Sequence, residues 1–242
     1  MTVVFAYLDE PPFCAPAAEG PVGCDVEVAF AVLRAIGVER IETRLVTFAE
    51  LLPGVASGAW QINTPLFITE ERTRLVEFSR PVWSLADGLM VQAGNPKRLT
   101  SYRAFAAHAE SRLVVVADQV QEQRALGAGL DPARVLRVAT QPEAVAAVRD
   151  GRADAYASVA MAHRGFLRAA PDARLAVVDF GADGGAAAEG AYSFAKSSAD
   201  LRRAFDGALR RFLGSPEHRA IMRRYDFADA DVERILSRRT HA

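Results

Sequence analysis

The sequence predicts an α/β protein with a mainly parallel sheet, arranged as two units rather than one. Three observations carry that expectation. Short aliphatic runs alternate with amphipathic stretches of helical period along almost the whole chain. The 242 residues are 50% hydrophobic and 24% charged, which suffices for two ordinary globular cores. Two crossing points, near residues 91–96 and 181–192, let the chain enter a second unit and return.

The elements follow in order. Residues 3–7 (VVFAY) read as a first strand. Asp25 opens a helical pattern whose stripe is Val26, Ala29, Phe30, Leu33 and Ile36, ended by Gly37. Residues 42–46 read as a strand, 49–57 as a short helix and 61–64 as another extended piece. Leu89, Met90 and Val91 are extended, and Gly94-Asn95-Pro96 is turn chemistry. A second series then begins. Helices are expected at 102–108, 122–128, 142–149 and 161–169, with strands at 113–116, 135–138, 153–158 and 175–179. The Gly- and Ala-rich stretch 181–190 reads as a loop, 192–195 as extended, and helices at 200–213 and 216–225 finish the chain.

Composition removes several classes of function. A formal net charge of −1 gives no electrostatic footprint for nucleic acid or an anionic membrane. No apolar run approaches the roughly 18 residues that span a bilayer. No basic region followed by an apolar core opens the chain, so it is either cytoplasmic or begins after a removed export signal. Cys14 and Cys24 read first as two small hydrophobic residues, with a disulfide left open. Of four histidines (His108, His163, His218 and His241) none lies near that pair, which argues against a metal site. Nucleotide-binding glycine loops, a nucleophile elbow and HExxH are all missing, which weighs against catalysis.

Four segments then stand out. They are DEPPF (residues 9–13) with GCDVEVAFAVLRAIG (23–37), FAELLPGVASGAWQI (48–62), FITEERTRLVEFSRPVW (67–83) and EAVAAVRDGRADAYAS (143–158). In order and spacing they resemble the polar-amino-acid family of bacterial extracellular solute-binding proteins. The third is close to that family's I-T-x-x-R-x-x-x-V-x-F-S-x-P-Y. The resemblance implies a type II periplasmic-binding-protein fold, with two α/β lobes, a two-strand hinge and a ligand cleft between the lobes. Residues 1–92 with 190–242 would form the first lobe, and 93–189 the second.

Carried over by position, the family's ligand-carboxylate arginine falls on Arg72, a job that suits a planar guanidinium fork. The second-lobe loop, residues 117–122, offers N–H groups from Val120 and Gln121, and Thr64 and Ser158 join the expected ligand-facing set. Two departures are informative. Val159 stands where α-amino-acid binders have an Asp for the ammonium, and Phe67 stands where a Ser or Thr is usual. A compact buried ammonium then lacks partners. Glu10, Phe13, Phe48 and Phe67 instead suit a delocalised or quaternary cation, and the pattern resembles the family's ectoine and hydroxyectoine binders. Trp60, Trp83 and Tyr156 are possible further walls, with Trp83 read first as core.

The expected function is therefore the binding component of an ABC importer. It would be an extracytoplasmic monomer without cofactor that carries a small zwitterion to a membrane permease. A polar amino acid or opine-like ligand, or a receptor's sensor domain, are alternatives. Cyclohexadienyl dehydratases also resemble this family, but here Glu10 is the one obvious acid–base group.

Overall fold

The computed structural model describes residues 1–181 and 187–237. The chain divides into two units, 1–84 with 188–242 and 85–187.

The first unit contains β1 (Thr2–Tyr7), α1 (Cys24–Ala35), β2 (Arg40–Leu45), α2 (Phe48–Ser57), β3 (Ile62–Phe67), α3 (Glu70–Leu75), β4 (Glu77–Phe78) and β5 (Trp83–Leu85). The second contains β6 (Asp87–Gln92), α4 (Tyr102–Ala107), β7 (Leu113–Val116), α5 (Val120–Gly127), β8 (Val135–Val138), α6 (Gln141–Arg149), β9 (Ala155–Val159), α7 (Ala160–Ala169) and β10 (Leu175–Asp179). The chain then returns to the first unit through β11 (Ala188–Phe194), α8 (Ala199–Phe212), α9 (Pro216–Arg224) and α10 (Asp229–Ser237).

In the first unit the strand order is β2-β1-β3-β11-β4, with β5 also on β11. β1 runs parallel to β2 and β3, whereas β11 is antiparallel to β3 and β4. In the second unit the order is β10-β6-β9-β7-β8. There β7 is parallel to β8 and β9, and β6 is antiparallel to both β9 and β10. Both sheets are thus mixed, because the strands nearest the two crossings run against their neighbours. The expectation of parallel strands holds for the consecutive β-α-β steps.

The first crossing differs from the expected one. It falls at Ser84/Leu85, because β6 pairs along its length with β9 and β10 and so belongs to the second sheet. The turn at Gly94 and Asn95 (φ 80° and 45°) leads from β6 towards α4. The second crossing, at 187/188, lies within the expected stretch. Of the loop expected over 181–190, residues 182–186 and so part of the stretch lie outside the described residues. Its last three residues already pair as β11.

Local sequence explains how the first unit's site is placed. The segment ahead of α1 is a tight turn: Glu10 N–H donates to the Cys14 carbonyl at 2.8 Å, and Phe13 N–H to the Glu10 carbonyl at 3.1 Å. That turn docks on the start of α1, where Cys24 and Asp25 N–H groups donate to the Pro12 and Phe13 carbonyls, each at 3.0 Å. Gly23 makes the docking possible. Its φ is +130°, and a Cβ there would lie 2.2 Å from the Phe13 carbonyl oxygen. Leading α2, Thr47 N–H donates to the Glu50 carboxylate at 2.7 Å, which anchors Phe48 at the helix start.

Candidate functional site

Arg72 sits on α3, six residues long, whose start is capped by Thr69: the Thr69 hydroxyl accepts the Arg72 N–H at 3.2 Å. The side chain is buried, 7% exposed. Its Nη1 donates to the Phe67 carbonyl at 3.0 Å, and its guanidinium carbon lies 5.6 Å from the centre of the Phe48 ring. A cation in such a place is stabilised by a fixed carbonyl and an aromatic face rather than by water.

The aromatic residues continue from there as one row. The Phe67 ring meets Trp83 edge-on, with centroids 5.3 Å apart and planes at 90°. Trp83 meets Phe13 at 5.8 Å and 40°, and Phe13 meets Phe227 at 6.2 Å. Phe13, Phe67 and Trp83 are buried, while Phe48 is half-buried. Glu10, half-buried, lies in the turn that carries Phe13. The structure therefore gathers Glu10, Phe13, Phe48, Phe67 and Arg72 into one region of the first unit.

Beneath that row lies a buried polar group that sequence reasoning missed. Asp25, 3% exposed, accepts from the Trp83 indole N–H at 3.4 Å and from the Cys24 thiol at 3.5 Å. Its carbonyl accepts the Tyr192 hydroxyl at 2.6 Å. Burial raises the Asp25 carboxyl to about 8, opposed by hydrogen bonds from Trp83, Cys24 and Thr64. Thr64 is buried too, its hydroxyl 3.7 Å from the Cys14 sulfur, so it supports this layer. Cys14 and Cys24 are both free and buried, and burial pushes each thiol upward. They act as small packing groups with weak donors. The signal that could have found Asp25 is its place directly after Gly23-Cys24, where the predicted helix opens.

The second unit holds the remaining expected residues. Val120 and Gln121 form the first turn of α5, where helix geometry leaves N–H groups without intrahelical acceptors. The Gln121 side chain is committed elsewhere, donating to Asp87 Oδ1 at 3.0 Å. Ser158 is buried in β9 opposite Gly88. Val159 faces Asp87 across the β6–β9 register. Asp87 is buried, and besides Gln121 its carboxylate accepts from the Tyr102 hydroxyl at 2.8 Å and Arg124 Nη1 at 2.6 Å. The carboxylate beside Val159 is thus engaged by a cation and two neutral donors. Tyr156 is a core residue of the same unit, its ring 4.9 Å from that of His163. Among the described residues, no group of three or more His, Cys, Asp or Glu can hold a metal ion, and no helix is long and apolar enough to cross a membrane. His241 lies outside the described residues.

Comparison with known proteins agrees with this architecture. A probable amino-acid ABC transporter periplasmic-binding protein, y4tE, from Sinorhizobium fredii is 31% identical over 224 residues, covering 90% of this chain and 74% of that protein. The crystal structure of EhuB in complex with hydroxyectoine superposes with a TM-score of 0.88 at 27% identity, covering 98% of this chain and 91% of EhuB. An ancestral arginine-binding protein bound to glutamine (TM-score 0.81, 21% identity, 93% and 97% covered) shares the fold. So does a histidine kinase sensor domain similar to periplasmic binding proteins (0.82, 18%, 93% and 96%). The two α/β lobes are those of the type II periplasmic binding proteins. The family described as bacterial extracellular solute-binding proteins, family 3, matches residues 3–229. Such proteins bind small molecules and deliver them to ABC permeases rather than catalyse a reaction, and this chain belongs to that family.

Proposed function

We propose that this chain is the periplasmic, monomeric binding component of an ABC importer for a small zwitterion with a flat or methylated cation, such as ectoine or hydroxyectoine. The observation that carries the reading is the row of rings Phe13–Trp83–Phe67, with Arg72 held beside it by the Phe67 main-chain carbonyl and the Phe48 ring. One end supplies a buried guanidinium for a carboxylate. The other supplies aromatic faces, with Glu10 to balance a delocalised positive charge. Val159 in place of a carboxylate, with Asp87 engaged by Arg124, supports the same choice of ligand. So does the likeness to EhuB, whose structure contains hydroxyectoine.

The relative described as a probable amino-acid binder favours a second reading, a polar amino acid or an opine-like compound. A thermal-shift and calorimetry panel of ectoine, hydroxyectoine, glycine betaine, glutamine, histidine and arginine separates the two. A ligand at a hundred times its Kd stabilises the fold by about 2.7 kcal/mol. The zwitterion reading expects ectoine or betaine to bind more tightly than any of the three amino acids. It expects Arg72→Ala to cost at least about 2 kcal/mol of binding and Arg72→Lys to restore part of that. Tight amino-acid binding with no heat from ectoine returns the protein to the second reading.

A further inference from the structure

We propose that Trp83 is itself a ligand-facing wall of the aromatic row and that Asp25 is the positioning residue that sets its ring. The inference rests on the zwitterion reading and deepens it, naming the pair that decides how flat a cation the site accepts.

Trp83 is the link that makes the row continuous, with Phe13 on one side and Phe67 on the other. Its indole offers the most attractive face of any side chain to a cation. Three contacts fix the ring. Nε1 donates to Asp25, the Phe67 ring meets it edge-on, and the Gly190 backbone lies so near that a Cβ there would fall 1.9 Å from Cη2. Rotation of the indole out of this place breaks the bond to Asp25. Asp25 holds the other aromatic neighbour as well, because its own N–H donates to the Phe13 carbonyl. One residue therefore aligns two walls, one through its side chain and one through its backbone.

Packing alone gives no reason for a carboxyl at this place, since a buried acid is costly and a neutral acceptor satisfies an indole equally well. The titratable groups that face Asp25 are the Cys14 and Cys24 thiols, Glu10 and Tyr192. Burial holds the acid protonated near neutral pH. A cation arriving against Trp83 favours the ionised form, so capture of the ligand releases a proton from Asp25.

The chain has two tryptophans, so Trp60→Phe leaves Trp83 as the sole emitter. Titrating that variant with ectoine is expected to change Trp83 emission saturably, at the Kd given by calorimetry. Trp83→Phe is expected to weaken ectoine binding roughly tenfold; Asp25→Asn, which keeps an acceptor for the indole but cannot ionise, is expected to weaken it roughly tenfold through the lost charge. Calorimetry of wild type at pH 7 in two buffers of different ionisation enthalpy is expected to report proton release, lost in Asp25→Asn. That wild-type measurement, with a ligand-free pH titration of Trp83 emission, needs no fold-sensitive variant. Ectoine binding with flat Trp83 emission and unchanged affinity in Trp83→Phe overturns the wall. Absence of proton release, together with emission that ignores pH between about 6.5 and 9, overturns the role of Asp25. If wild type binds arginine or glutamine but neither ectoine nor betaine, the zwitterion reading fails alone. Trp83 emission with the bound amino acid then decides the wall, and the pH titration decides Asp25.

Discussion

Asp25 and Arg72 are both nearly buried, 3% and 7% exposed, and each meets the cost of burial in its own way. Arg72 keeps its charge against a carbonyl and a ring. Asp25 gives its charge up, since burial raises its carboxyl to about 8. That shift has a signed consequence for stability. The folded state binds a proton at Asp25 that the unfolded state has already lost, so stability falls as pH rises from about 4 through 8. His163 and His218 act in the opposite sense: burial lowers both to about 4, so they favour the folded state increasingly as pH rises from about 4 to 6.5. As pH rises beyond 6.5 the histidines become neutral in both states, and by about 7.5 the slope from Asp25 dominates. The melting temperature is expected to drop between pH 6.5 and 8, and Asp25→Asn to flatten that drop. An equal drop in the variant would falsify the assignment. Phe13, Phe67 and Arg72 are picked out as candidate site residues because a motif carries them. Trp83 reads first as core and only second as a wall, because a tryptophan beside a strand suits either until its neighbours are known.

Among the elements, β11 shows how strands and side chains constrain one another. It begins at Ala188, four residues ahead of the extended piece expected from 192, because pairing with β3 rather than local composition defines it. Gly190 on that strand accommodates the Trp83 ring. Gly190→Ala is expected to destabilise the protein by about 1–3 kcal/mol, the usual range for overpacking. In a Trp83→Phe background the same change should cost clearly less, as the smaller ring vacates the contact. Equal costs in both backgrounds, measured by urea unfolding, would show that the clash is not with Trp83. The short α3 that carries Arg72 escaped the sequence reading, as did β4, β5 and α10. Six residues are too few to display a 3.6-residue period, and a two-residue strand has no alternation to read.

At the scale of the whole molecule, the second unit is one uninterrupted stretch of chain with its own sheet. Its core, which includes Leu89, Tyr102, Phe105, Leu113, Ala157 and Phe180, is drawn entirely from within that stretch. A fragment of residues 85–187 is therefore expected to fold alone and to unfold cooperatively in urea. A featureless far-ultraviolet spectrum would show that it depends on the first unit. The first unit, assembled from two separate stretches joined through β11, has no such continuous counterpart.

The alternation of strand and helix, a return of the chain within residues 181–192 and the family motifs were determined by the sequence alone. Each depends on residues close together along the chain, where period, turn chemistry and spacing can be read directly. The first crossing was misplaced because turn residues at 94–96 signal any turn, whereas membership of a sheet is settled by hydrogen bonds to β9 and β10. The buried layer under the aromatic row was likewise decided by tertiary structure. Asp25 meets Trp83 across 58 residues and Tyr192 across 167, and Cys14 meets Thr64 across 50. No local pattern encodes such contacts. They arise only when the sheet brings Thr64 of β3 and Tyr192 of β11 beside Cys14 and the start of α1, and burial then raises the Asp25 carboxyl.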